Sequence, residues 1–173
     1  FKDKFICTFA MGSRKLYDWL DDNLAVEFQR GAWVNDPAVV RRNSKMVSLN
    51  TCLMVDFTGQ VASESIGTRQ YSGTGGQTDT AVGAKEAYDG LGKSIIACRS
   101  TAKKGTQSTI LPTLPEGTAV TLHRSNADHI VTEYGIAHLR GRTVRERTQN
   151  LIAVAHPDFR GELTEQAKKL GYL

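Results

Sequence analysis

The sequence is poor in cysteine, has no long apolar run and carries no strong charge of one sign. Cys7, Cys52 and Cys98 stand far apart without a CxxC pair, which argues against a disulfide framework or a cysteine-rich zinc site. No apolar stretch approaches the ~20 residues of a membrane-spanning helix. The net charge is only +4, and the basic residues form no stripe with interleaved aromatics. We therefore expect neither nucleic acid nor a membrane among the partners.

What is present is typical of a single globular domain. The 173 residues are 40% hydrophobic and 23% charged, so the chain is long enough to bury a substantial core. Each cysteine lies in a short apolar segment, which predicts buried, reduced thiols. Unpaired thiols are typical of a reducing compartment, so we expect a cytoplasmic location. The mild basic excess suits a site for an anionic small molecule.

Apolar spacing predicts strands and amphipathic helices in alternation. Leu16, Trp19 and Leu20 predict a helix over 14–23 with Ser13 as its N-cap. The further predicted strands are two around a Thr58-Gly59 turn and three over 92–100, 117–125 and 129–141, the last leading into a helix. The further predicted helices are a short one after the turn Asn35-Asp36-Pro37, one from near Asp79, one over 143–156 with a Thr143–Glu146 capping box, and one over 162–171 with Gly171 at its end.

This alternation favours an α/β fold with an open, mainly parallel sheet flanked by helices. In such sheets ligands bind in the loops that follow the carboxyl ends of the strands. The stretch YSGTGGQTD (71–79) lies in such a place, between predicted strands and a predicted helix. The stretch is therefore a candidate for a functional site.

The glycines of this stretch, Gly73, Gly75 and Gly76, match neither a dinucleotide fingerprint nor a P-loop. Two interpretations stay open. Glycine is required where the backbone turns at positive φ, and it is also required where a ligand approaches bare N–H groups. In the second case the N–H groups would form a nest for an anion or an oxyanion, and Gln77 would add an amide.

Other polar residues carry weaker signals. His123, His129 and His138 have no metal-ligand spacing with any cysteine, so we expect no metal. Glu133 lies between apolar residues and is either a perturbed carboxylate or a paired structural one.

The segment AHPDFRGEL (155–163) offers a His156–Asp158 pair for metal or acid–base chemistry. A structural interpretation is favoured. Pro157 is expected to end the preceding helix, and Phe159 to pack inward.

Several segments together resemble one known family. VSLNTCLMVDFTGQVASESIG, YSGTGGQTD, GKSIIACRSTAKKGTQSTILPTL and VTLHRSNADHIVTEYGIAHLRGRTVRERTQNLIAVAHPDFR resemble, in this order, the C-terminal domain of the acetyl-CoA hydrolase/transferase family. These are class I CoA-transferases, such as the 4-hydroxybutyrate and butyrate–acetate enzymes. The resemblance extends from LYDWLDDN to HPDFRGEL, nearly the whole chain.

The resemblance implies a CoA-transferase (NagB-like) fold of two similar α/β domains, with residues 1–173 as the C-terminal one. It implies coenzyme A as co-substrate, an acyl-CoA and a small carboxylate as substrates, an active site between the domains and a homo-oligomer. A glutamate of the N-terminal domain attacks the thioester, and a glutamyl-CoA intermediate forms. That glutamate's motif has no counterpart here, and the start at Phe1 fits a C-terminal piece.

The resemblance also implies site residues. It assigns Gly75 and Gly76 to the oxyanion hole and Asn50 to contact with the reacting carboxylate. Gln77 and Gly73 are predicted to bind substrate. In many 4-hydroxybutyrate-type members an aromatic residue stands where this chain has Thr80, so the acid substrate is not fixed.

The basic loop around Lys103 adds Lys104 as a further predicted substrate-binding residue, facing the CoA nucleotide. Three functions stay open for this domain: CoA transfer, acyl-CoA hydrolysis with water as acceptor, or acyl-CoA binding without turnover.

Overall fold

The computed structural model describes all 173 residues and contains thirteen short strands and six helices. No helix is both long enough and apolar enough to cross a bilayer. In chain order the elements are β1 (Phe5–Cys7), α1 (Arg14–Leu20), β2 (Val26–Phe28), α2 (Gly31–Val34), α3 (Pro37–Val40), β3 (Val47–Thr51), β4 (Met54–Asp56), β5 (Val61–Ala62), β6 (Ser65–Ile66), β7 (Arg69–Gln70), α4 (Gln77–Lys85), β8 (Lys93–Ala97), β9 (Thr101–Ala102), β10 (Gln107–Ser108), β11 (Ile110–Leu111), β12 (His129–Thr132), β13 (Gly135–His138), α5 (Val144–Ala153) and α6 (Pro157–Lys169).

The main sheet has four strands in the order β13-β12-β8-β3. The β12–β8 and β8–β3 pairs are parallel, and β13 pairs with β12 in the antiparallel sense. Helix α4 packs on β3 and β8, α5 packs on β13, and α6 packs on α5. The predicted α/β class with a mainly parallel sheet is confirmed.

A second sheet, β11-β4-β5, joins a parallel pair to an antiparallel pair. The largest fully buried side chains come from both sheets and from α5 and the loops around them: Phe57, Ile96, Ile110, Leu122, Ile130, Leu139 and Leu151. They form one continuous apolar cluster with parts of α4 and α6, so the two sheets share a single core.

Local turn chemistry is confirmed at three predicted places. The Asp56 carboxylate accepts hydrogen bonds from the Thr58 hydroxyl (2.7 Å) and two backbone N–H groups, and Gly59 has φ +91°. Thr143 and Glu146 form the capping box of α5. Gly171 follows α6 with φ +71°, in the double hydrogen-bond pattern of a Schellman motif.

Two predicted strands are wrong. Residues 117–125 form no strand, only one bridge between Val61 and Leu122. The Ala119 N–H instead donates to the Ser65 hydroxyl at 2.8 Å. A side chain thus accepts the hydrogen bond that a backbone carbonyl of a neighbouring strand would accept in a sheet. Within the predicted strand 129–141, residues 129–138 form the β12–β13 hairpin, because Gly135 at φ +138° lets the chain reverse direction.

Helix starts also differ from prediction. Ser13 stands at the N-cap position of α1 but makes no side-chain capping bond. Helix α4 begins at Gln77, so Asp79 lies in its first turn and not at its cap. Pro157 was expected to end the preceding helix, but it is also the first residue of α6. Proline is well suited to this position, because a backbone N–H there would have no acceptor within the helix.

The same helix was predicted to begin only at residue 162. Its N-cap is His156, whose Nδ1 accepts from the Asp158 N–H at 3.3 Å. Phe159 packs against the core as predicted. The three cysteines are free but only half-buried, so the prediction of buried thiols is correct in part.

Candidate active site

The predicted site residues gather where the parallel strands of the main sheet end. We call this the carboxyl edge, defined by Thr51, Ala97 and Thr132, the last residues of β3, β8 and β12. The α4 start is tied to it, since Gln77 Nε2 donates to the Thr51 carbonyl at 2.7 Å. Parallel strands end on the same side of a sheet, so the loops after them meet there.

The glycine loop, residues 73–76, uses its glycines in different ways. Gly75 has φ +60°, a conformation that L side chains rarely adopt. Gly76 has an ordinary φ, but a Cβ there would lie 2.5 Å from Asn35 Nδ2. Gly73 meets neither constraint. Positive φ therefore explains Gly75, and the closeness of the Asn35 side chain explains Gly76. The approach of a ligand to the bare N–H groups stays a prediction.

Helix α4 starts at this loop without a side-chain cap. Gly76 is the N-cap residue, and no side chain accepts from the first turn. The N–H groups of Gln77, Thr78 and Asp79 have no acceptor within the helix. Residues 71–75 are exposed, so these donors and the positive end of the helix dipole lie beside an open loop.

Asn50 is connected to the glycine loop by hydrogen bonds. Its Nδ2 donates to the Ser48 hydroxyl at 3.0 Å and to Thr80 Oγ1 at 3.1 Å. The Thr80 hydroxyl accepts from Ser48 at 3.0 Å and donates to the Gly76 carbonyl at 3.0 Å. We call these four residues the Asn50–Thr80 network. It fixes the position of Asn50 relative to the start of α4.

Sequence reasoning did not assign Ser48 a role and treated Thr80 only as a change in an acyl pocket. The structure shows Thr80 as the centre of the network. The signal for this was present: Ser48 and Asn50 alternate on one face of β3, and Thr80 lies within the first turns of the helix that covers it.

Gln77 is buried, and both ends of its amide have a hydrogen-bond partner within the chain. Its Oε1 accepts from the Ser63 hydroxyl at 2.8 Å, while Nε2 donates to the Thr51 carbonyl. These bonds hold the start of α4 against the end of β3. A contact between Gln77 and substrate stays a prediction.

Lys104 is exposed at the tip of the β9–β10 hairpin, which follows β8 at the carboxyl edge. Lys103 and Lys104 both have left-handed φ values, +46° and +57°. Their side chains form no ion pair within the chain. No hydrogen bond connects Lys104 to the glycine loop, so its predicted contact with the CoA nucleotide stays a prediction.

Glu133, at the turn after β12, binds Ser100. Its carboxylate accepts from the Ser100 N–H at 2.9 Å and from the hydroxyl at 2.7 Å. Desolvation opposes ionisation of Glu133. The Ser100 bonds and the backbone N–H of Glu133 itself, with a smaller contribution from His156, outweigh it and lower the pKa of Glu133. Of the two open interpretations, the structure supports a hydrogen-bonded structural carboxylate, and Ser100 is the partner that sequence reasoning missed.

Cys52 and Cys98 follow β3 and β8 in matching register, so their thiols are neighbours at the same edge. The contact with Cys98, together with burial, raises the pKa of Cys52 well above its usual value. The same contact lowers the pKa of Cys98. Of the pair, Cys98 is therefore the more readily ionised thiol.

Comparison with known proteins identifies the family. Residues 12–167 match the family model described as the acetyl-CoA hydrolase/transferase C-terminal domain. The chain is 50% identical over 166 residues to a 4-hydroxybutyrate coenzyme A transferase of Clostridium kluyveri, covering 96% of this chain and 38% of that protein. It is 47% identical over 167 residues to a succinyl-CoA:cyclohexane-1-carboxylate CoA transferase of Geobacter metallireducens, with the same two coverages.

A more distant relative, an acetyl-CoA hydrolase of Kluyveromyces lactis, is 30% identical over 158 residues, covering 89% of this chain and 29% of that protein. Among solved structures, RipA from Yersinia pestis superposes with a TM-score of 0.90 at 42% identity, covering 98% of this chain and 38% of that one. The chain thus spans well under half the length of these relatives. On the family match and these identities, it belongs to the acetyl-CoA hydrolase/transferase family.

Proposed function

We propose that the chain forms the C-terminal half of a class I CoA-transferase, which moves CoA between an acyl-CoA and a small carboxylic acid. The Asn50–Thr80 network is the observation that carries this proposal. It places Asn50 and Gly76, both assigned to catalysis by family resemblance, in one hydrogen-bonded unit beside an uncapped helix start. Coenzyme A enters as co-substrate, as it does in the named relatives.

In this proposal the glycine loop and the first turn of α4 stabilise an oxyanion. When a carboxylate attacks the thioester carbon, the carbonyl oxygen gains negative charge. The backbone N–H groups at Gly75, Gly76 and Gln77 would donate to that oxygen, and the helix dipole adds to the effect. Because these donors belong to the backbone at a helix start, they need little rearrangement as the charge develops.

Asn50 would orient the reacting carboxylate. Both of its Nδ2 protons bond to hydroxyls, those of Ser48 and Thr80. To donate to substrate, Asn50 would exchange one of these acceptors for a carboxylate oxygen. Thr80 is then a positioning residue, which holds the amide in place before substrate arrives.

The nucleophilic glutamate of the glutamyl-CoA route would come from an N-terminal domain. Within this chain Glu64 is buried and bonds to Thr121 (2.9 Å) and Gln70 (3.3 Å), and Glu133 bonds to Ser100. Both carboxylates therefore already have structural partners. We propose that neither is the nucleophile.

The face that meets this N-terminal domain would include the first 28 residues. No residue before Val40 is buried. Large apolar side chains there are exposed instead: Phe1, Phe5, Phe9, Met11, Trp19, Leu24 and Phe28. An apolar surface of this extent is typical of an interface. Assembly of the whole protein as a homo-oligomer stays a prediction, as does its cytoplasmic location.

Hydrolysis is the second candidate, favoured by the relative named acetyl-CoA hydrolase. The same oxyanion donors would serve it, with water in place of the acceptor acid. Acyl-CoA binding without turnover is the third candidate and applies to the chain without its partner domain.

Acyl transfer by the 173-residue chain, with and without a separately produced N-terminal domain, tests the proposal. Acetyl-CoA is the donor, and butyrate or 4-hydroxybutyrate the acceptor. We expect no turnover from the chain alone and new acyl-CoA product on adding the second domain. Release of free CoA at the same rate without acceptor acid would favour hydrolysis. Turnover by the chain alone would overturn the assignment of the nucleophile.

Thr80→Val tests the observation on which the proposal rests. Valine keeps the shape but removes the hydroxyl, so kcat should fall while the KM for acyl-CoA stays unchanged. Thr80→Ser keeps the hydroxyl and should restore most of the turnover. If Thr80→Val and Thr80→Ser both turn over as fast as the unaltered chain, the Thr80 hydroxyl has no part in catalysis.

A further inference from the structure

A second polar cluster lies at the opposite edge of the main sheet, where β8 and β12 begin. We call it the amino-edge cluster: Asp128, His129 and His138. Each of these residues offers one potential ligand atom, and the three atoms lie within 4.8 Å of one another. Asp128 is buried, His129 half-buried and His138 exposed, so the cluster connects the core to solvent.

The pair Asp128–His129 has an unusual geometry. His129 Nδ1 lies 3.0 Å from Asp128 Oδ2, yet this buried nitrogen makes no hydrogen bond. The carboxylate oxygen thus lies near the nitrogen but away from the direction in which a ring N–H would point. Buried polar atoms without a partner are rare and call for an explanation.

Two atoms that bind the same metal ion also lie close together without a hydrogen bond between them. At the ~2.0–2.1 Å bond lengths of zinc to nitrogen or oxygen, tetrahedral ligand atoms lie roughly 3.3 Å apart without bonding each other. The Nδ1–Oδ2 distance of 3.0 Å is close to that separation. His138, being exposed, has room to turn its ring toward the same point.

The backbone under the cluster is already fixed. His129 and His138 are register partners across the β12–β13 hairpin. The Leu139 N–H donates to the Asp128 carbonyl at 2.8 Å, and Asn150 Nδ2 donates to the His138 carbonyl at 2.8 Å. Ser94 N–H contacts Asp128 Oδ2 at 3.4 Å from β8. The backbone that carries the three residues is therefore held in place.

We propose that Asp128, His129 and His138 bind one divalent transition-metal ion of the zinc class. Two imidazoles and one carboxylate suit Zn²⁺, Co²⁺ or Ni²⁺, whereas Ca²⁺ and Mg²⁺ prefer an all-oxygen shell. Water takes the fourth position on the exposed side of His138. The ion cross-links β12 to the edge strand β13. This proposal departs from the sequence-based expectation of no metal, which considered only spacings to cysteine.

Equilibrium dialysis of the tag-free chain against Zn²⁺ tests the site. We expect one retained ion per chain. His138→Ala should weaken retention at least tenfold, because it removes a direct ligand from a position where exposure makes the substitution safe for folding. His123→Ala, an exposed histidine outside the cluster, is the matched control and should bind like the unaltered chain.

Three outcomes would overturn the proposal: no retained Zn²⁺ in the unaltered chain, equal retention by His138→Ala and His123→Ala, or loss of Zn²⁺ on alkylation of the thiols. The last would place the ion at Cys52 and Cys98. Circular dichroism of each variant checks that the fold is kept. Co²⁺ in place of Zn²⁺ adds a visible spectrum, which should change with His138→Ala and not with His123→Ala.

Discussion

The two edges of the main sheet differ in which of their polar groups have hydrogen-bond partners. At the carboxyl edge, the side chains of Asn50, Gln77 and Glu133 all have hydrogen-bond partners within the chain, and the free donors are backbone N–H groups at a helix start. At the amino edge, His129 Nδ1 and Ser94 Oγ are buried without a partner. The first arrangement suits a large substrate that meets a rigid backbone. The second suits a small ion.

A second contrast lies between two neighbouring strands at the same level of the sheet, in one pair of serines. Ser48 on β3 and Ser94 on β8 are direct partners in the parallel sheet, and both are buried. The Ser48 hydroxyl donates to Thr80, while the Ser94 hydroxyl has no partner. A buried serine is thus part of a hydrogen-bonded network in one strand and has no hydrogen-bond partner in the next.

The largest effect should follow a change at the carboxyl edge that leaves the amino edge alone. Gly76→Val places a branched side chain against Asn35 and the proposed oxyanion position. The backbone N–H of residue 76 remains, but the side chain would keep the oxyanion from reaching it. We expect this block to cost about as much as losing one donor, roughly 3 kcal/mol, or about 10²-fold in turnover. We expect this loss in steady-state acyl transfer with the N-terminal domain present. Zn²⁺ retention at the amino edge should stay unchanged.

Gly161→Val is the control for the glycine substitution. Gly161 lies in α6 with open space around its Cα, so a side chain there meets nothing. Its turnover should match that of the unaltered chain. Near-normal turnover of Gly76→Val would contradict the role of the glycine loop.

Asn50→Ala should produce the next largest effect. A hydrogen bond to a charged group contributes about 1.5–3 kcal/mol, so kcat should fall by about tenfold to 10²-fold. The apparent affinity for acyl-CoA should not change, since Asn50 is proposed to act on the carboxylate. A variant that loses only CoA affinity, measured by calorimetry with CoA, would exclude this role.

Ser48→Ala and Ser94→Ala test the contrast between the two serines through the free energy of unfolding. Removing the Ser48 hydroxyl breaks two hydrogen bonds, one donated to Thr80 and one accepted from Asn50. It should lower the free energy of unfolding by about 1–3 kcal/mol. Removing the Ser94 hydroxyl relieves an unsatisfied group and should leave that free energy unchanged or raise it. Urea unfolding of the two variants measures both. A larger loss for Ser94→Ala would show that its hydroxyl has a partner in solution.

The smallest effect concerns Glu133 and pH. Its pKa is lowered in the folded chain, so its contribution to stability is present above the ordinary glutamate pKa of about 4.3 and is lost as pH falls through the lowered value. Ser100→Ala removes one of the two Ser100 bonds and should move the pKa of Glu133 upward. The effect on stability should be slight, since the carboxylate is exposed.

Carbon-detected NMR titration of the Glu133 carboxyl measures that shift. Glu165 on α6 is an internal control, because its lowered pKa depends on Lys168 and not on Ser100. An unchanged titration of Glu133 in Ser100→Ala would show that the backbone N–H alone holds the carboxylate.

Features encoded by neighbouring residues could be predicted from the sequence. The capping box of Thr143 and Glu146 lies within one turn, and the need for glycine at Gly75 is a property of the local backbone. Pro157 was misjudged because proline both ends helices and begins them, and only the His156 cap distinguishes the two cases.

Features that depend on tertiary pairing could not be predicted. Thr80 meets Asn50 only because α4 lies over β3. His129 meets His138 only because residues 129–138 turn back as a hairpin instead of continuing as one strand. The family resemblance could indicate Asn50 and the glycine loop but not the residue that connects them.

The parallel pairing of the main sheet has a consequence for how fast this domain folds. Val47 pairs with Lys93, and Ile95 with His129, so each strand must find a partner tens of residues away. Closing such long loops costs entropy before any contact repays it, and chains rich in distant contacts fold slowly. The glycine loop lies inside the first of these loops. Its geometry therefore depends on the β3–β8 pairing, and recovery of acyl transfer during refolding would follow formation of the sheet, not of the helices.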